Sequence, residues 1–416
     1  MDDLAFVAPL TVHIDGGPCT KTRSVNVLSF GGLHAQGDEK VTKSPCASYL
    51  KGDRPDTNIW DFLLRDFEAL ATGLVGGRPV ATGRDGRVLK WLLLFVKSDE
   101  EVRSQEFGFA NPGAADEVCS ECLGNRTSRP FTDLRATAAW RRSESLPFVA
   151  YAARARQPPH PLTEHPFFCF RFFFYLDLMH LMDCKGVLAL AFGSVCKELI
   201  ADPRLGANQQ ERLDTINERR KALFDSRPGS VRLPKLLLAN LTKDGWGDLH
   251  GKTIKAAITR HALPFFVSLV TEFYNRGTPE DTDRVRMLGA LDELYNVVYN
   301  EPMFLPPDAQ RRLREACLTF GACYQRLREA ARLAGRCNYR VTPKVHKMQH
   351  LPLMGGFINP RCVQNYAEES LIGTATKTYK ASMNGRHMGV AQVNFLAKRM
   401  VALLLRFEIP QRPPRR

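Results

Sequence analysis

The sequence predicts an α+β protein whose mixed-sheet core is interrupted by a large all-helical insertion. Three observations point there. Strand-like patterns fill the first hundred residues, helical spacing alone fills 205–339, and helical patterns resume near the end. Apolar residues make up 44% and charged residues 25% of the 416, which is enough to bury a core. No run approaches the ~20 apolar residues of a membrane span. The first residues, Met-Asp-Asp-Leu, lack the basic n-region of a signal peptide.

Taken in order, residues 11–15 (Thr-Val-His-Ile-Asp) alternate and run into Gly16-Gly17, as a strand entering a turn does. Residues 24–33 resemble a second strand, and 58–72 carry apolar residues at helical spacing. Residues 88–96 are almost wholly apolar, the pattern of a strand buried on both faces, and end at Lys97-Ser98-Asp99. The segment 110–165 is irregular and holds Cys119-Ser-Glu-Cys122; the Phe-rich 167–175 reads as strand or buried coil. Helices are expected at about 177–200, 208–224, 252–274, 282–298 and 308–333, then at 367–380 and 390–407. Asp244-Gly-Trp-Gly-Asp248 reads as a loop capping the helix that begins near Lys252. The expected organisation is thus a core started by 1–204, a helical insertion at 205–339, and 340–416 returning to close the core and end in a basic tail.

Charge narrows the partners. The chain carries a net +14, and residues 340–416 alone hold 13 Lys/Arg against 3 Asp/Glu, a net of +10. Such a surface predicts double-stranded DNA as partner, with Lys344, Lys347, Lys377, Lys380 and Arg386 as phosphate contacts. The eleven cysteines, scattered through a long chain, read as reduced thiols. Cys119 and Cys122 have the spacing of half a zinc site, with further ligands sought among Cys184, His160 and His165. His346 and His350 also stand at a zinc-competent spacing. No Glu follows His346, so the metalloprotease pattern is absent, and packing or a plain surface helix is the expectation for that pair.

Two-metal phosphoryl chemistry needs carboxylates from separate elements to converge on ions ~4 Å apart. Asp15, Asp99 and Glu369 are candidates, one on a first strand, one at a later strand end and one on a late helix; Glu368 stands beside the third. Asp177 and His180 lie one helical turn apart and can share a face.

The motif series Ile14-Asp15-Gly16, Arg23-Ser24…Val27…Ser29…Leu33, Lys97-Ser98-Asp99, Cys119-x-x-Cys122, Asp177-Leu-Met-His180…Lys185, Lys344-x-His346-x-x-x-His350-x-Pro352 and Tyr366-x-x-Glu369-x-x-x-Gly373 resembles the transposases of CACTA (En/Spm-type) DNA elements, in order and in rough spacing. The resemblance implies an RNase H-like DDE catalytic region that uses Asp15, Asp99 and Glu369 to hold two Mg²⁺ or Mn²⁺ ions. Asp177 and His180 would form a shell of the active site. The implied chemistry is hydrolysis of a phosphodiester at an element end, then attack of the freed 3′-hydroxyl on target DNA, in the nucleus and within a homo-oligomer. The rival expectation is a catalytically inactive, transposase-derived DNA-binding protein.

Overall fold

The computed structural model describes residues 7–18, 24–32, 43–50, 57–83, 85–109, 111–113, 115–144, 160–164, 175–353 and 358–382. The Phe-rich stretch before Tyr175, the helix expected at 390–407, and Arg386 and His165 lie outside them. The described residues are mixed α+β, with a four-stranded sheet, two small hairpins and many helices. Its contacts divide it into two compact units. One comprises residues 1–109, 155–175 and 365–416, and the other 110–154 and 176–364. The expected helical block 205–339 lies inside the second unit, which also takes in the Cys119–Cys122 segment and 340–364.

The first unit is built on β1 (Val7–Pro18), β2 (Ser24–Gly32), β3 (Lys43–Leu50) and β6 (Lys90–Ser98), in the order β3-β2-β1-β6. Two short strands, β4 (Leu74–Val75) and β5 (Arg78–Pro79), form a separate hairpin between them. β1 and β2 are antiparallel, as are β2 and β3, whereas β1 and β6 run parallel. β1 is a central strand, and Leu10 to Asp15 are all buried, so both faces are covered. Ile14 pairs with Ser98, which brings Asp15 level with Asp99 at the end of β6.

Helix α1 (Thr57–Thr72) buries Trp60, Leu63 and Phe67 at helical spacing and packs against β6. A short helix unforeseen in the sequence, α2 (Glu100–Phe107), follows β6 at once. Asp99 is its N-cap, its Oδ1 accepting from the Val102 N–H at 2.8 Å.

The second unit is helical, with one small hairpin. The helix expected at about 177–200 is divided in two. A π-helical turn spans Met179–Asp183, and α3 (Val187–Leu199) begins after Lys185, at φ 49°, and Gly186. A Cβ at Gly186 would lie 2.2 Å from the Leu181 carbonyl oxygen, so the chain turns there with no room for a side chain. The span Met179–Leu199 is long and apolar enough to cross a membrane, but 83% of its window is buried inside the protein, as a core helix is. α4 (Gln209–Asp225) starts from the Asn208 cap.

Asp244-Gly-Trp-Gly is not a helix cap. Asp244 and Gly245 take positive φ and turn a hairpin of β7 (Thr242–Lys243) and β8 (Trp246–Gly247). The helix expected at 252–274 is two helices, α5 (Ala256–His261) and α6 (Leu263–Phe273). Pro264 lies in the first turn of the second, where its missing N–H is harmless. α7 (Pro279–Asn300) and α8 (Pro307–Leu333) pack along each other, joined through Leu305-Pro306. α9 (Pro343–Met348) follows, and α10 (Tyr366–Ser382) belongs to the first unit, packing on β1, β2 and β3.

Candidate functional site

In the first unit, Asp15, Asp99 and Glu369 converge. Asp15 is 6% exposed on the central strand, and its Oδ1 accepts from the Gly16 N–H at 2.6 Å. Burial pushes its carboxyl up to about 8, reinforced by the charges of Glu369 and Asp99 and by a hydrogen bond with Glu369; the Gly16 N–H opposes the rise. The imidazole of His13, two residues back on the same face of β1, has its Nε2 3.9 Å from Asp15 Oδ2.

Each carboxylate is held by its own element. Asp99 is fixed by the cap it makes for α2. Glu369 lies in the first turn of α10, where the helix dipole favours a negative charge. Its backbone N–H donates to the Asn365 carbonyl. Ile372 and Thr376 follow Glu369 on the same face of α10. A Cβ at Gly17 would lie 2.5 Å from Thr376 Cγ2 and 3.0 Å from Ile372 Cγ2. α10 therefore approaches β1 at a distance that only glycine permits, and this brings Glu369 to Asp15. On β2, Asn26 fills the space where a Gly16 side chain would stand, and its Nδ2 donates to Glu106 at 3.4 Å.

In the second unit Cys119, Cys122, His346 and His350 form a buried cluster whose ligand atoms all lie within 4.8 Å of one another. His346 Nε2 is 3.3 Å from Cys122 Sγ and 3.2 Å from His350 Nε2. Four soft or borderline donors facing one point fit a tetrahedral metal. The surroundings fit as well. The backbone N–H groups of Glu121 and Gly124 donate to the two sulfurs, His346 Nδ1 lies 3.2 Å from the Phe131 carbonyl, and Trp140 packs edge-on against both imidazoles. Burial opposes ionisation of Cys119, but the hydrogen bond with Cys122 and the charges of His350 and His346 outweigh it, and the thiol falls well below its usual range. Cys122 moves up, through its bond to Cys119 and through burial. Burial lowers His346; at His350 the Cys119 thiolate overcomes burial and raises it.

The sequence predicts packing or a plain surface helix for His346 and His350; the structure instead buries both beside the Cys pair, and their i, i+4 spacing is the signal for it. The other partners considered for the Cys pair stand elsewhere. His160 packs between Trp60 and Phe107 in the first unit and accepts from the Leu162 N–H. The Cys184 carbonyl accepts from Lys344 Nζ at 2.8 Å.

Asp177 and His180 form a pair in the second unit. Asp177 Oδ1 accepts from the Met179 N–H, and Oδ2 meets His180 Nδ1, which fixes the imidazole on the π-helical turn. Of the expected phosphate contacts, Lys377 and Lys380 are exposed on α10. Lys344 is bound to the carbonyls of Cys184 and Lys185, and Lys347 is only 2% exposed. No protein-family model matches the sequence, and no curated protein matches it.

Proposed function

We propose that the first unit is an RNase H-like nuclease core and that the chain is a metal-dependent DNA-cutting enzyme of the transposase kind. The observation that carries this reading is the meeting of Asp15, Asp99 and Glu369, with Asp15 pushed up to about 8 by burial and by its two neighbours. A buried carboxyl on one element, faced by half-buried carboxyls from two others, weakens a fold unless cations join them. The sheet order and the parallel β1–β6 pair, with acidic residues at the strand ends, support the same reading.

Two Mg²⁺ or Mn²⁺ ions held by these carboxylates would supply an activated water and a clamp on the attacking and leaving oxygens. The Gly16 N–H holds one oxygen of Asp15, and the Val102 N–H holds one of Asp99. α10 supplies Glu369 from the first turn of a helix whose exposed Lys377 and Lys380 favour a phosphate backbone. In the second unit Cys119, Cys122, His346 and His350 would hold a zinc ion in a closed structural site, all four positions being filled by protein.

The test is Mn²⁺-dependent nicking of duplex DNA. Asp99→Asn keeps the α2 cap and removes only charge, so it should abolish nicking and leave duplex binding intact. Glu369→Gln should do the same, with Glu368→Gln milder. A wild-type chain that binds duplex but nicks none with either metal would sink the enzyme reading and leave a DNA-binding protein.

A further inference from the structure

The second unit contains a cavity of about 340 Å³ that the cutting chemistry does not use. Its walls come from the end of α4, the loop after it, the α5–α6 junction and α7. They combine three chemistries. Arg227 and Arg260 bring positive charge, Tyr295 and Tyr299 bring ring surface, and Asp292 brings a carboxyl. Among the described residues Arg227 makes no ion pair and is exposed, so its charge is available to a ligand. The Arg260 guanidinium lies 5.0 Å over the Tyr299 ring and donates to its hydroxyl, while that hydroxyl donates to Gln364 at 3.0 Å. Tyr295 lies parallel to Tyr299, at 4° between planes, with its own hydroxyl tied to Asp183. The platform is therefore fixed before any ligand arrives.

We propose that this cavity binds one unpaired nucleotide, its base on the Arg260–Tyr299 platform and its phosphate on Arg227. The size is near the lower end for ligand cavities, enough for one nucleotide and far too small for a duplex. A simple anion would make no use of the rings, and an apolar ligand would make none of two guanidiniums. A base stacks on aromatic and guanidinium planes alike, and a phosphate takes the guanidinium fork. Asp292, an exposed residue of the lining, offers an acceptor to the amino or imino edge of the base. The inference stands apart from the cutting reading, because it needs neither the carboxylates nor a divalent ion.

The experiment is calorimetric titration of the full chain, without added Mg²⁺ or Mn²⁺, using dAMP, a short single-stranded oligodeoxyadenylate and inorganic phosphate. Saturable binding of dAMP, weakened about tenfold by Arg227→Gln and by Tyr299→Leu but kept by Tyr299→Phe, is the expected result for a free nucleotide. If only the oligonucleotide binds, with the same variant pattern, the nucleotide is taken from a strand, and the proposal holds. Phosphate binding as tightly as dAMP would overturn it in favour of an anion site. So would dAMP and oligonucleotide binding that Arg227→Gln leaves unchanged. Arg227 is exposed, so that variant is expected to fold and keeps the test decisive if Tyr299→Leu does not.

Discussion

Replacing Asp15 by Asn should strengthen the metal-free protein while ending its response to metal. The folded carboxyl is pushed up to about 8 from an ordinary 3.8. Between those values the folded chain holds a proton that the unfolded chain has released, so the stability from this group is complete below pH 3.8 and declines as pH rises to about 8. At pH 7 the difference amounts to about 4 kcal/mol. Part of that gain is lost because the amide Nδ2–H donates to Glu369 more weakly than the acid O–H does, and a net gain of about 2 kcal/mol is expected. The Gly16 N–H keeps its acceptor, since Asn retains Oδ1. Hydrogen exchange of the β1 amides in metal-free buffer reads this directly, as about thirtyfold slower exchange near pH 7. Added Mn²⁺ should slow exchange in the wild type and leave Asp15→Asn nearly unchanged. Faster exchange in the metal-free variant, or a wild type indifferent to Mn²⁺, would refute the argument.

Gly17→Ala should force α10 off β1 and lower nicking at least tenfold, at about 1–3 kcal/mol of stability; Thr376→Ala, which removes the colliding methyl, should restore part of both, and additivity in the double-mutant cycle would count against the contact. Cys122→Ser should eliminate the zinc measured by elemental analysis of purified protein and lower the melting temperature of the second unit by roughly 6–12 °C; a zinc-free wild type, or an unaltered zinc content in the variant, would contradict the assignment. Neutralising Lys377 and Lys380 together should cut the slope of log affinity against log salt for duplex DNA by about 2, measured by fluorescence polarisation, with no change in sequence preference; an unaltered slope would show that this face carries no phosphates.

Much of the first unit was legible in the sequence because its signals are local. The alternation ending at Asp15-Gly16-Gly17 and the apolar run ending at Asp99 mark the strands that lie side by side. β3 was missed because Pro45 interrupts it. The structure places that strand at the sheet edge, the position where a proline's missing N–H does no harm. α2 was missed although Asp99-Glu100-Glu101 is an N-terminal signature, because the helix has only eight residues and no apolar stripe long enough to show a period. The Cys₂His₂ cluster was half read. The spacing inside each pair is local, but the joining of Cys122 to His346 spans 224 positions and depends on tertiary packing around Trp140. Single substitutions of motif residues do not report such distances, and neither does any periodicity.

The wide separation of Glu369 from Asp15 and Asp99 also bears on when the site comes into being. During synthesis the two aspartates emerge early, and Glu369 follows Asp99 by 270 residues. At typical translation speeds that is a delay of about 15–50 s. Throughout it the nascent chain holds two of three carboxylates and lacks the helix that delivers the last. Cutting competence would then be withheld until the whole helical unit has been made. A fragment ending before Tyr366 should accordingly fail to take up Mn²⁺ at Asp15, and paramagnetic broadening of its β1 amides would reveal any that it does bind.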